Sequence, residues 1–146
     1  MIKTDIFRQM GFFDEYYFFC PEDIALSTAL NRRGYFCYVN ASVELIHYEG
    51  ASSGERISLI KAATMPAGEK GTIRFLAGSS VMAYISLTCF TCTMALLRSL
   101  KYRMQSKTPG DNASIMSTAN RNVVSALLTK KTPKEIFVKY YGRIKR

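Results

Sequence analysis

A chain of 146 residues, 48% of them hydrophobic, holds enough apolar material for one modest domain with a core. Its four cysteines, Cys20, Cys37, Cys89 and Cys92, sit in apolar runs without the spacing of a secreted disulfide framework, so they read as reduced and structural, in a cytoplasmic setting. The formal charge of +9 is unevenly distributed. Residues 1–54 carry four basic and seven acidic side chains, net −3, and residues 55–146 carry 16 basic and four acidic, net +12. An acidic, aromatic first part is thus joined to a basic second part that suits an anionic partner: a phospholipid surface, a nucleotide or a nucleic acid.

Along the chain, the opening MIKTDIFRQM lacks the apolar region of a signal peptide, and none is expected. The stretch GFFDEYYFFCPEDIALS, residues 11–27, follows. It sets two acidic pairs, Asp14-Glu15 and Glu22-Asp23, on either side of Tyr16, Tyr17, Phe18 and Phe19. Two readings stand. Carboxylates beside aromatic walls shift their pKa values, as at functional sites. Alternatively the segment is a surface turn, a buried strand and a helix start capped by acids. Glu22 to Arg33 reads as a helix, with Pro21 at its start and Gly34 as its stop. Tyr35–Val39 and Ser42–Tyr48 read as strands, broken at Asn40-Ala41. The small residues from Glu49 to Gly54 form the boundary between the two parts.

From Gly71 onward the pattern is helical. Phe75 to Leu97 runs 23 residues without a charge, the length of a membrane span, but Gly78 and many Ser and Thr residues dilute it. Thr72, Ser79, Ser86 and Thr93 recur every seven residues and predict a small polar stripe for close helix packing. Basic residues flank the run on both sides: Lys70 and Arg74 before it, Arg98, Lys101, Arg103 and Lys107 after it. A single span would expel the acidic part from the cytoplasm, so an interfacial or packed helix is the better reading. Further helices are expected over Ala113–Leu128 and, after Pro133, over Glu135–Tyr141 or beyond. The C-x-x-C of Cys89 and Cys92 lacks a second pair or a nearby histidine, which argues against zinc or redox chemistry.

The order of Gly11, Phe13-Asp14-Glu15, Glu22-Asp23, Gly34-Tyr35, His47 and Ser52-Ser53 resembles the C-terminal half of the catalytic domain of family 2 glycosyltransferases, the rhamnosyltransferase-like members in particular. Those enzymes have a GT-A fold and make bacterial polysaccharides, including cell-wall material. Their pattern runs G-G-F-D-E, aromatic residues, E-D-x-D-L, a basic helix ending in G-Y, a strand, then a histidine and a small-residue loop. The resemblance implies an α/β fragment, with the C-terminal part of a Rossmann-like GT-A domain over residues 1–54; the charge and the apolar run add a mainly helical, basic, membrane-associated tail over residues 55–146.

The resemblance also implies roles. Asp23 would be the general base, taking a proton from an acceptor hydroxyl as that oxygen attacks the donor's anomeric carbon with inversion. Glu22 would orient Asp23 or the acceptor. Gly11 would let backbone approach the substrates, and Asp14 and Glu15 would position the loop. His47 would sit near the diphosphate and a magnesium or manganese ion. The donor would be a nucleotide sugar, the acceptor a saccharide or a lipid-linked sugar, and the location the cytoplasmic face of the membrane, beside anionic headgroups.

The chain departs from the pattern at three positions. Phe12 stands for the second glycine, Ala25 for the second acid after the E-D pair, and Ala29 for a helix arginine. The nucleotide-binding half and its D-x-D metal motif have no counterpart here, so the chain reads as a fragment, inactive alone. The rival reading is a non-catalytic, basic membrane-binding module with a degenerate glycosyltransferase remnant. Nucleic acid is not expected as a partner, because no DNA- or RNA-binding motif is present.

Overall fold

The computed structural model describes residues 2–44, 46 and 57–144. Among the described residues six helices follow one another: α1 (Thr4–Gln9), α2 (Glu22–Arg32), α3 (Ile57–Ala77), α4 (Val81–Gln105), α5 (Asn112–Leu127) and α6 (Pro133–Ile144). Among the described residues there is no strand. The α/β expectation is therefore overturned. Tyr35–Val39, expected as a strand, leaves α2 as chain without regular secondary structure, with Tyr38 87% and Val39 96% exposed. The reason is physical: β-propensity measures how well a side chain fits a pleated, half-buried surface, and here no neighbouring strand supplies one. Of the second expected strand, Ser42–Glu44 and Ile46 are not in a strand, and the rest lies outside the described residues. The expected boundary from Glu49 to Gly54 also lies outside them.

Helix α3 is the hub, packing against α4, α5 and α6, while α4 also packs along α5. The interior is built largely from alanine. Ala63, Ala67 and Ala126 join Ile136 and Tyr140 in one cluster, and Ile73, Ala95, Val123 and Leu127 form a second. Small side chains bring helix axes close enough for polar groups to bridge them. Ser99 Oγ donates to Ser117 O at 3.1 Å and Ser117 Oγ to Ser99 O at 3.0 Å, stitching α4 to α5. Asn122 Nδ2 donates to Ala62 O at 3.0 Å, joining α5 to α3. Lys70, 4% exposed, donates to the carbonyls of Ala126 and Thr129 at the C-terminal end of α5. A cation there meets the negative end of the helix dipole, though burial pushes the amine below its ordinary pKa.

Local signals fix the helix ends. Pro133 occupies the first position of α6, and Thr132 and Glu135 cap it reciprocally: Glu135 Oε2 accepts from Thr132 N at 2.7 Å and Glu135 N donates to Thr132 Oγ1 at 3.4 Å. Asp111 caps α5, accepting from Ser114 N at 2.6 Å, Lys107 N at 2.8 Å and Thr108 N at 3.2 Å. The 23-residue charge-free run is not one helix. Gly78, at φ +55°, ends it, and Ser80 Oγ accepts from Ala83 N at 3.2 Å to start α4. The sevenfold polar stripe is split with it: Thr72 lies on α3, Ser79 in the turn, and Ser86 and Thr93 on the exposed side of α4.

The aromatic run is a loop lying across α3 rather than a buried strand. Phe19 and Cys20 take positive φ values of 65° and 87°. Their carbonyls approach two glycines one turn apart: a Cβ on Gly68 would stand 2.8 Å from Phe19 O, and one on Gly71 would stand 2.5 Å from Cys20 O. The rings then reach both sides of the hub, Tyr17 meeting Phe75 at 6.1 Å and Phe19 stacking on Phe137 at 4.9 Å.

Two outcomes follow. Gly71→Ala gains up to about 1 kcal/mol of helix propensity but forces the loop backbone away, so a net loss of about 1–3 kcal/mol is expected by chemical denaturation, with the tyrosine fluorescence of the loop altered. A net gain would mean that the loop does not seat on α3. The second outcome concerns pH. The three backbone N–H donors hold the Asp111 carboxyl at about 2, below its ordinary 3.8. A depressed acid contributes stability above its unfolded pKa and loses it as pH falls through the folded one. The Tm difference between wild type and Asp111→Ala should therefore be full at neutral pH and vanish between about pH 4 and pH 2.

Candidate functional site

The first candidate site is a cleft of about 490 Å³ where the end of α1, the aromatic loop, one side of α2 and the end of α3 converge. Gly11, Phe12, Asp14 and Tyr17 supply one wall, Ala25, Ala29 and Arg32 a second, and Phe75 the floor. A second, more open cleft of about 500 Å³ lies on the other side of the loop, lined by Asp14, Glu15, the aromatic rings, Glu22 and Lys134. Asp14 lines both clefts.

The sequence-derived site residues are distributed between these clefts. Gly11, at φ +81°, and Phe12, at φ +67°, turn the chain sharply after α1. Phe12 N closes this turn by donating to Phe7 O at 3.1 Å. Glycine tolerates such a backbone freely, whereas a phenylalanine in the left-handed region costs about 1–2 kcal/mol. The edge-on packing of Phe12 against Phe7, centroids 5.2 Å apart, offsets part of that cost. Asp14 Oδ1 accepts from Tyr16 N at 2.9 Å, so one oxygen shapes its own turn. Arg33 donates to Gln9 O at 2.9 Å and ties the end of α2 to the end of α1, fixing the width of the first cleft.

The two helix-start acids part ways. Glu22 Oε2 accepts from Cys20 N at 2.5 Å, across the turn that opens α2. Asp23 is exposed, accepts from Ile24 N at 2.8 Å, and lines neither cleft. His47 lies outside the described residues, as do Ser52 and Ser53. Among the described residues no group of three or more His, Cys, Asp or Glu side chains could hold a metal ion. The divalent cation is expected near His47, which is outside those residues.

Each cysteine of the described residues is a free thiol, and Cys20, Cys37 and Cys89 are exposed rather than buried in a core. Burial, then the Glu22 and Asp23 carboxylates, push the Cys20 thiol above its ordinary pKa. It is held protonated beside the acids, which suits structure rather than nucleophilic chemistry.

Sequence reasoning missed the role of Arg32, the cation facing the first cleft, and missed that the departures cluster. Phe12, Ala25 and Ala29 all line the first cleft. The signal was present in the helical spacing: Ala25, Ala29 and Arg32 fall at i, i+4 and i+7 and share one face of α2.

Comparison with known proteins reaches the level of a partial relationship to glycosyltransferases. The chain is 32% identical over 77 residues, 53% of its length, to the N-acetylglucosaminyl-diphospho-decaprenol L-rhamnosyltransferase of Mycobacterium tuberculosis strain CDC 1551 / Oshkosh. The same identity and coverage hold for the protein of that name in strain ATCC 25618 / H37Rv. The match covers 24% of the length of these curated relatives. No family model matches the chain, and no solved structure matches it.

The geometry around Cys20 makes an expected outcome of its own. Glu22→Gln preserves the shape of the side chain and removes its charge, so the Cys20 thiol pKa falls and its alkylation by iodoacetamide at neutral pH accelerates, read peptide by peptide in mass spectrometry. Cys37 and Cys89 serve as internal references. Unchanged Cys20 reactivity would mean that the carboxylate does not face the thiol.

Proposed function

We propose that this chain carries the acceptor side of an inverting glycosyl transfer, in which a sugar passes from a nucleotide-sugar donor to a polyprenyl-diphosphate-linked saccharide at the cytoplasmic face of the membrane. The observation that carries the proposal is the coincidence of motif and shape. Gly11 and Asp14 of the G-x-F-D-E pattern, together with the three departures from it, line one cleft large enough for a sugar ring, with Asp14 and Arg32 as its charged groups. The acceptor class is taken from the names of the partial relatives.

In this reading Asp23 accepts the proton of the acceptor hydroxyl as its oxygen bonds to the anomeric carbon and the nucleoside diphosphate departs. Asp14 and Arg32 hold the acceptor's hydroxyls, and Tyr17 and Phe75 stack on its ring. Glu22 shapes the turn that precedes Asp23. A second reading, a non-catalytic remnant, is favoured by two facts: Asp23 lines neither cleft, and apolar Phe12, Ala25 and Ala29 replace polar or flexible groups in the first.

Calorimetric titration with a short-chain polyprenyl-diphospho-N-acetylglucosamine tests the proposal. Binding is expected to weaken roughly tenfold on Asp14→Asn, the scale of one hydrogen bond to a charged group, and to strengthen in the double variant Ala25→Asp, Ala29→Arg. The chain by itself is expected to transfer no sugar. Within a longer protein containing this segment, Asp23→Asn should lower turnover about 10²–10⁴-fold. Absence of acceptor binding, or binding indifferent to the cleft variants, would favour the remnant.

A further inference from the structure

Helix α4 leaves much of its large apolar surface uncovered. On its inner side, against α3 and α5, only the small Ala95 and Ser99 are buried, with Thr88 and Thr91 partly covered and Tyr84, Leu87 and Cys92 packed half-buried against the core. Its outer side carries most of its large apolar residues, with Ser86, Cys89 and Thr93 among them. Met82, Ile85, Leu96, Leu97, Leu100 and Met104 are all exposed and fall within one half of the helix circumference. From Met82 to Met104 this ridge runs about 33 Å at 1.5 Å per residue. By length and composition α4 could cross a membrane, and only 6% of its most apolar stretch is buried inside the bundle, the rest being exposed or half-buried.

At the C-terminal end of this ridge lies a basic pocket of about 460 Å³. Arg103, Lys107 and Arg121 line it, with the hydroxyl-bearing Ser106, Thr108 and Ser114 between them. The nearby carboxylate, Asp111, is committed to capping α5: its oxygens accept from Ser106 Oγ and from the backbone N–H groups of Lys107, Thr108 and Ser114. The pocket therefore keeps its positive charge. No carboxylate lines it, so a symmetric contact with a second copy of this chain would set like charges together.

We infer that the outer ridge of α4 and the Arg103–Lys107–Arg121 pocket form one docking surface for an anionic phospholipid bilayer, the ridge entering the acyl boundary and the pocket taking a lipid phosphate. The helix lies in the plane of the interface. A transverse orientation would carry the charged residues of its bundle partners, Lys61 and Arg74 of α3 and Arg121 of α5, all exposed, into the hydrocarbon. In the plane, those charges remain in the headgroup layer or in water, and the one-sided ridge is covered. The inference stands independently of the glycosyl-transfer reading.

The test is co-sedimentation of the full chain with vesicles of phosphatidylcholine alone and of phosphatidylcholine mixed with phosphatidylglycerol. Binding is expected only with phosphatidylglycerol and should fall as salt rises. Arg103→Gln, Lys107→Gln and Arg121→Gln together should lower it on the order of a hundredfold, since each interfacial cation contributes about fivefold. Arg103→Lys should retain it. Leu97→Gln with Leu100→Gln should also release the protein. These positions are exposed, so circular dichroism should show all the variants folded. The chain has no tryptophan, so Leu100→Trp adds a single reporter whose emission should shift to the blue with phosphatidylglycerol vesicles alone. Equal binding to phosphatidylcholine would overturn the inference, as would an unaffected triple variant. Carbonate-resistant insertion would overturn it in favour of a span. A lipid-free dimer abolished by the Leu97 and Leu100 variants would overturn it in favour of a second copy.

Discussion

The close approach of the loop around Phe19 and Cys20 to helix α3 is the constraint on which the rest depends. Two backbone carbonyls sit where the side chains of Gly68 and Gly71 would otherwise be. That contact fixes the height of the aromatic loop over the bundle. It lets Phe19 stack on Phe137 of α6 and Tyr17 lean on Phe75 of α3. The loop in turn divides the surface beside α2 into two clefts and places Asp14 on both. Two missing methyl groups on α3 thereby set the geometry of residues some fifty positions earlier in the chain.

The bundle beneath is built on the same economy of side-chain volume. Alanines at the crossing points let α3, α5 and α6 approach, and reciprocal Ser99–Ser117 hydrogen bonds join α4 to α5. Close packing of this kind leaves little room inside for large apolar residues, and α4 carries most of its own outward. Burial of Lys70 against the end of α5 shows the same pattern from the polar side: a charge is admitted where helix-terminal carbonyls need a donor.

Much of the helical part was legible in the sequence because its signals are local. Pro133 with Thr132 and Glu135, Asp111 before α5, and Gly34 after α2 are capping and stop signals that act over one turn. The start of α3 at Ile57, well before Gly71, was not legible, because Pro66 and the glycines weaken the helical pattern that tertiary packing supplies. The sheet failed for the converse reason. Tyr35–Val39 has the composition of a strand, but a strand is a relationship between segments, and none of the described residues pairs with it. The candidate site was half legible. The motif gave Gly11, Asp14, Glu15 and Glu22, which do border the clefts, and the departures at Phe12, Ala25 and Ala29, which were read singly. That these three share one wall system with Arg32 depends on how α1, α2 and α3 meet, and no spacing rule encodes that. Asp23 was singled out by motif alone, and its position outside both clefts is a tertiary fact.

The central claim is that the cleft bordered by Gly11, Asp14, Ala25, Ala29 and Arg32 receives a saccharide acceptor. Backbone amide NMR of the uniformly labelled chain, titrated with a short-chain polyprenyl-diphospho-N-acetylglucosamine and, in parallel, with the same polyprenyl diphosphate lacking the sugar, tests it most directly. The account predicts sugar-dependent shifts at Gly11, Phe12, Asp14, Ala25 and Ala29, with shifts along α4 and at Arg103 and Lys107 common to both ligands. Shifts confined to α4 and the basic pocket, identical with and without the sugar, would contradict it and leave the chain a lipid-binding module alone.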